Sequence, residues 1–192
     1  MMTKIAIFSS HNGSGFDTLY EAYKNKALDI DIPLIISNNS NAKVIENAKA
    51  LNIANYVVND KLFTNVDEKI VELLNQYDCK YIFLSGYMKK ISPIITNNFK
   101  VINSHPSLLP SYGGAGMYGR YVHEAVINNK EKLTGVTIHE VDENYDEGKI
   151  IFQKSLTINK NDTAESLENR IKELEKEAIV EGFELCLKLQ NI

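Results

Sequence analysis

The sequence predicts an α/β fold: a doubly wound, mostly parallel, Rossmann-like sheet whose C-terminal part becomes mixed or antiparallel. Over the first hundred residues short apolar runs alternate with stretches of helical periodicity, the pattern of successive βαβ units. A glycine-bearing turn, SSHNGSG, joins the first apolar run to the first helical stretch. Beyond residue 130 two β-rich runs flank a polar DENYDEG segment, which suits an antiparallel pair.

Taken in order, Lys4 to Ser9 is an apolar run ended by a polar turn and reads as a buried strand. Phe16, Leu19, Tyr20 and Tyr23 then recur at helical spacing. Asp31 to Ser37 is the second strand, with Pro33 expected at its start because proline cannot donate to a ladder. Val44, Ile45, Ala48 and Leu51 mark a second helix, and Ala54 to Val58 a short third strand. Val66, Ile70, Leu73 and Leu74 form an amphipathic stripe, opened by Thr64 or Asn65 as cap. Lys80 to Leu84 is a fourth strand, Ile91 to Phe99 a short helix or turn, and Lys100 to Ser104 a fifth strand.

After the loop SYGGAGMYG, whose glycines suit a mobile flap or a fixed turn, a helix is expected from Gly119 to Asn128. Strands at Leu133 to Val141 and Lys149 to Ile158 follow. The last helix is expected to open at Asp162 with Glu165 completing a capping box, and to bury Leu167, Ile171, Leu174 and Ala178.

A chain of 192 residues, 44% hydrophobic, can bury a full core, and no linker divides it, so one domain spanning 1–192 is expected. The net charge of −4 disfavours a nucleic-acid partner. No apolar run reaches the length of a membrane span, and the N-terminal run reads as a strand, so a cytoplasmic location is expected. Cys79 and Cys186 read as small buried apolar residues in a reducing compartment.

The chemistry gathers at VINSHPSLLP, where an apolar strand ends by presenting Asn103 and His105 on one face before two prolines. An amide can hydrogen-bond a developing oxyanion, and an imidazole moves a proton near neutral pH. A loop carboxylate such as Asp146 can orient that imidazole and favour its charged form. Together they suit amine attack on a carbonyl, and no nucleophile-elbow context points to an acyl-enzyme. Spacing alone also admits a satisfied core histidine. The HNGSG turn is equally open: a phosphate seat at a helix N-terminus, or merely a tight βα connection. It is neither GxGxxG nor GxxxxGK[ST].

The stretches NSHPSLLPSYGGAGMYG and GVTIHEVDENYDEGKIIFQ resemble the folate-dependent formyltransferases, and the resemblance runs the length of the chain. It implies the formyltransferase fold, with a nucleotide-phosphate half over about 1–100 and a folate and catalytic half over about 101–192. It also implies formyl transfer from 10-formyltetrahydrofolate, as cosubstrate, to the amine of glycinamide ribonucleotide in purine synthesis, by direct attack and without a metal. The family's catalytic positions fall on Asn103, His105 and Asp146, and its ribonucleotide-binding positions on Gly13, Ser14, Gly15, Lys172 and Glu175. Its folate-lining positions fall on Met88, Lys89, Lys90 and Ile91, and on Val141, Asp142, Glu143, Asn144 and Tyr145.

Two departures stand out. Gly15 replaces a common asparagine, and Val66 falls where some relatives carry an arginine for the folate's glutamate tail, leaving Lys61, Lys89 or a loose contact. By spacing alone Lys172 and Glu175 read as an exposed ion pair, and His139 as structural or near the site. The implied partners are small molecules, with no nucleic acid or membrane, and the chain is a monomer or homodimer. An amino-sugar nucleotide as acceptor, or hydrolysis of formyltetrahydrofolate, are the alternatives.

Overall fold

The structure, a computed structural model, describes residues 2–188, so Met1 and 189–192 of the expected domain lie outside the described residues. The chain divides into two compact units, residues 1–102 and 103–192.

The first unit runs β1 (Thr3–Phe8), α1 (Ser14–Lys24), β2 (Ile30–Ser37), α2 (Lys43–Ala50), β3 (Ala54–Val57), α3 (Val66–Gln76), β4 (Tyr81–Leu84) and α4 (Pro93–Thr96). Its strands lie in the order β3-β2-β1-β4, and the pairs β2–β3, β1–β2 and β1–β4 are all parallel. The chain winds outward from β1 to β3 and then returns to the other side of β1. The order therefore reverses between β1 and β4, where ligands of such sheets bind beyond the strand ends. β4 is buried throughout, and β1 from Ile5 onward, as strands covered on both faces must be.

Local chemistry fixes the details. Asn65 is the cap of α3, its side chain accepting from the Glu68 N–H at 3.2 Å. Pro33 stands inside β2 rather than at its start, because the register slips there: Lys4 pairs with Asp31 but Ala6 with Leu34. The extra residue makes a bulge, where a missing donor does the ladder no harm. Leu51 does not join the buried stripe of α2; it is the C-cap and is 37% exposed.

The second unit contains the end of β5 (Lys100–His105), α5 (Arg120–Asn128), β6 (Leu133–Glu140), β7 (Ile150–Thr157) and α6 (Ala164–Lys188), with strand order β5-β6-β7. β6 and β7 are antiparallel, the expected change of direction, and Thr137 pairs with Gln153. α6 packs on β6, β7 and α5, burying Leu167, Ile171, Ala178, Ile179, Phe183 and Cys186. Leu174 is only half-buried. The capping box is shifted by one residue. Thr163 and Ser166 exchange hydrogen bonds, Thr163 N to Ser166 Oγ at 2.9 Å and Ser166 N to Thr163 Oγ1 at 3.1 Å. The Asp162 carboxylate is instead held by Arg170 and the Asn159 N–H. Cys79 and Cys186 are both buried and free, and burial pushes the Cys79 thiol up to about 12.

Candidate functional site

β5 presents Asn103, Ser104 and His105 at the start of the second unit. His105 is 3% exposed. One ring nitrogen, Nε2, lies 2.7 Å from the Tyr112 carbonyl oxygen. A carbonyl can only accept, so Nε2 carries a hydrogen, and the other side of the ring is presented by Nδ1. That nitrogen faces Asp146 Oδ2 at 3.5 Å. Asp146 has φ 59°, a conformation that aspartate tolerates better than most residues. Its Oδ2 also accepts the Gly114 N–H at 2.9 Å, so the near end of the glycine loop is tied to the same carboxylate.

His139, on β6, completes the cluster. Its Nδ1 donates to the Glu140 carbonyl at 2.9 Å, which leaves Nε2 unprotonated to accept from Asn103 Nδ2 at 3.2 Å. Burial is the main cause holding the His139 pKa below its ordinary value, consistent with a neutral ring. The 3.6 Å approach of His139 Nε2 to Asp146 Oδ1 is thus not an ion pair. His139 orients the Asn103 amide and leaves its second N–H to donate elsewhere. Of the two readings the sequence allows for His139, structural or near the site, the contact with Asn103 bears out the second.

The turn that follows His105 is closed by Ser107, whose buried hydroxyl donates to the Ser111 carbonyl at 2.6 Å, and is tied to β6 by Thr137. Thr137 Oγ1 donates to the Ser107 carbonyl at 2.7 Å and accepts the Leu109 N–H at 3.0 Å. Gln153 Nε2 joins both Thr137 Oγ1 and the Leu109 carbonyl at 2.9 Å. A cleft of about 310 Å³ opens beside this turn, lined by Leu109, Pro110, Gly114, Tyr145 and Asp146 among others. Of the expected folate positions here, Tyr145 lines that cleft, Asp142, Glu143 and Asn144 are exposed, and Val141 is half-buried.

On α6, Lys172 and Glu175 do not pair with each other. Lys172 bonds Glu168 at 2.6 Å, one turn back, while Glu175 accepts from Ser104 Oγ at 2.6 Å. Burial raises the Glu175 pKa above the usual carboxylate range.

In the first unit, the Gly13–Gly15 turn leaves β1 for α1. Gly13 has φ 74°, and Val44 crowds the place a Cβ would take, at 2.6 Å. At Gly15 a Cβ would stand 2.7 Å from Phe83 Cε1 and 3.0 Å from Ser85 Oγ, so a larger side chain has no room there unless those neighbours move. The Phe16 N–H is taken by Ser85 Oγ at 3.1 Å, so the N–H groups this N-terminus could offer an anion are the earlier ones of Ser14 and Gly15. A second cleft, of about 180 Å³, is lined by Val66, Lys89, Lys90 and Ile91 with Asn59 and Tyr87 among others. Met88 is 48% exposed, and its N–H donates to Ser10 Oγ at 2.8 Å. Ile91 is buried. Among the described residues no cluster of His, Cys, Asp and Glu suits a metal ion, and no helix is long and apolar enough to cross a membrane.

This geometry sets two imidazoles and an amide around one loop carboxylate. The model of the formyl transferase family matches residues 3–183, and the chain belongs to that family. The phosphoribosylglycinamide formyltransferase of Bacillus subtilis is 35% identical over 195 residues, covering 99% of this chain and 97% of its own. Glycinamide ribonucleotide transformylase 1 of Geobacillus kaustophilus has the same fold at TM-score 0.85 and 31% identity, over 96% of this chain and 100% of that one. The corresponding structure from Symbiobacterium toebii superposes at TM-score 0.86 with 25% identity, over 94% of this chain and 85% of its own.

Proposed function

We propose that the chain transfers the formyl group of 10-formyltetrahydrofolate to the amine of glycinamide ribonucleotide. The observation that carries this reading is the His105–Asp146 pair beside an Asn103 amide whose second N–H is free to donate. The substrate amine attacks the formyl carbon, and the carbonyl oxygen takes the negative charge. Asn103 stabilises that oxygen through its N–H and the protonated form of His105 through its charge, since the two ring nitrogens face Tyr112 and Asp146; both effects are strongest in the transition state. A C–N bond to the amine forms as the C–N bond to the folate breaks. The amine loses one proton and the leaving folate nitrogen gains one, with Asp146 passing it.

The other assignments follow the family. Gly13, Ser14 and Gly15 seat the phosphate, Lys172 and Glu175 hold the ribonucleotide, and Met88 to Ile91 with Val141 to Tyr145 line the folate. Because Met88 N–H is engaged by Ser10, the folate is read there by other groups of the segment. Lys172 is 59% exposed in its pair with Glu168. Such pairs are worth only about 0–1 kcal/mol, so exchanging Glu168 for a phosphate costs little.

The test is turnover of 10-formyltetrahydrofolate by the pure protein with and without glycinamide ribonucleotide. Turnover that requires the ribonucleotide is expected; equal turnover without it means hydrolysis and refutes the assignment. His105→Ala should lower kcat by about 10²-fold or more. A near-normal rate in that variant removes His105 from the chemistry.

A further inference from the structure

Ser104 lies between Asn103 and His105 on β5, and the pleat turns it to the opposite face. Its hydroxyl donates to Glu175 Oε1 at 2.6 Å, across 71 positions of sequence. Glu175 is half-buried on α6, and among the described residues this is the hydrogen bond its carboxylate accepts. A carboxylate offers about four acceptor sites, so most of this one is unspent. Holding it out of water in that state lowers stability, and an apolar side chain of similar size would serve packing better.

The cation that acts on this carboxylate is bonded to another group. Lys172, on the same helix, lowers the Glu175 pKa by its charge but is hydrogen-bonded to Glu168. From α5, His123 interacts with Glu168 and Lys172. From β7, Lys154 pairs with Glu177 and Glu181, and from β6, His139 is committed to Asn103 and Glu140.

We propose that Ser104 is a positioning residue for Glu175, fixing one carboxylate oxygen so that the other accepts hydrogens from a substrate amine or vicinal diol. This rests on the reading above, in which Glu175 meets the ribonucleotide. Ser104 itself touches no substrate and acts through the carboxylate. Without its hydroxyl, the carboxylate can swing away from the substrate and protonates more readily.

The experiment compares wild type, Ser104→Ala, Ser104→Thr and Ser104→Val, measuring kcat, the KM for glycinamide ribonucleotide and the pH profile of kcat/KM. Loss of a hydrogen bond to a charged group should raise the KM about ten-fold in the alanine variant, with a smaller change in kcat. The acid limb of kcat/KM should move to higher pH, because the Ser104 bond is one of two effects that lower the Glu175 pKa. Threonine should restore both readouts. The threonine–valine comparison isolates the hydroxyl at nearly constant shape, so a poorly folded alanine variant does not blunt the test. If alanine and valine match wild type in KM and acid limb while wild type remains ribonucleotide-dependent, this proposal falls and the functional reading stands. If wild type shows no ribonucleotide-dependent turnover, that reading fails and takes this proposal with it.

Discussion

Thr137→Val tests how much of the turn beyond His105 depends on one buried hydroxyl of β6. Valine preserves the shape of threonine but can neither donate nor accept. Thr137 is fully buried, and its Oγ1 is the recorded partner of the Leu109 N–H and the Ser107 carbonyl. Gln153 keeps its bond to the Leu109 carbonyl in the variant, so it is not stranded. Two backbone groups are left without partners, each costing about 1–3 kcal/mol, partly offset because the hydroxyl no longer has to be desolvated. The expected loss is about 2–4 kcal/mol, which for a chain of this size lowers Tm by about 5–15 °C. Urea unfolding at equilibrium should show a lower midpoint with an unchanged m-value. A loss below about 0.5 kcal/mol, in the range of an ordinary surface substitution, would refute the reasoning.

Other consequences can be checked in the same way. Gly15→Asn forces a side chain against Phe83 and Ser85, and should destabilise by about 1–3 kcal/mol in thermal unfolding; an unchanged or higher Tm would refute the account of this glycine. His139 and His123 both have pKa values lowered by burial from 6.5, so the unfolded chain takes up protons first as pH falls. Their contribution is complete above that value and is lost progressively below it, so the urea midpoint should fall between about pH 7.5 and about pH 5.5. His139→Gln should flatten that slope; an identical slope would show that this ring is not held neutral.

Much of the fold was legible because burial writes itself as periodicity. The apolar runs at 81–84 and 100–105 and the stripe of Ile70, Leu73 and Leu74 could hardly be read otherwise. Pro33 was misplaced because a bulge is a property of two strands, and one strand's sequence does not announce its partner's register. The capping box slipped by one because Asp162 and Thr163 are both good caps, and Arg170 decided between them by claiming the aspartate. The pairing of Lys172 with Glu175 failed for a related reason. Glu168 lies on the same helical face at i−4, while Ser104 reached Glu175 from another element. Asn103, His105 and Asp146 are singled out by family resemblance, and the structure brings them together with His139, whose bonding depends on which nitrogen faces a carbonyl, and no sequence pattern encodes that.

The line from Asn103 through His139 to the Glu140 carbonyl behaves as an arrow. Every bond along it points the same way, and its last acceptor is a backbone oxygen that cannot take a proton at ordinary pH. Reversing the arrow would require His139 to change tautomer and abandon that carbonyl. The Asn103 amide therefore cannot flip at small cost, and an oxygen arriving beside it meets an N–H rather than another oxygen. The orientation of the Asn103 amide is thus set by a carbonyl two residues away in the chain of contacts, one that it never touches.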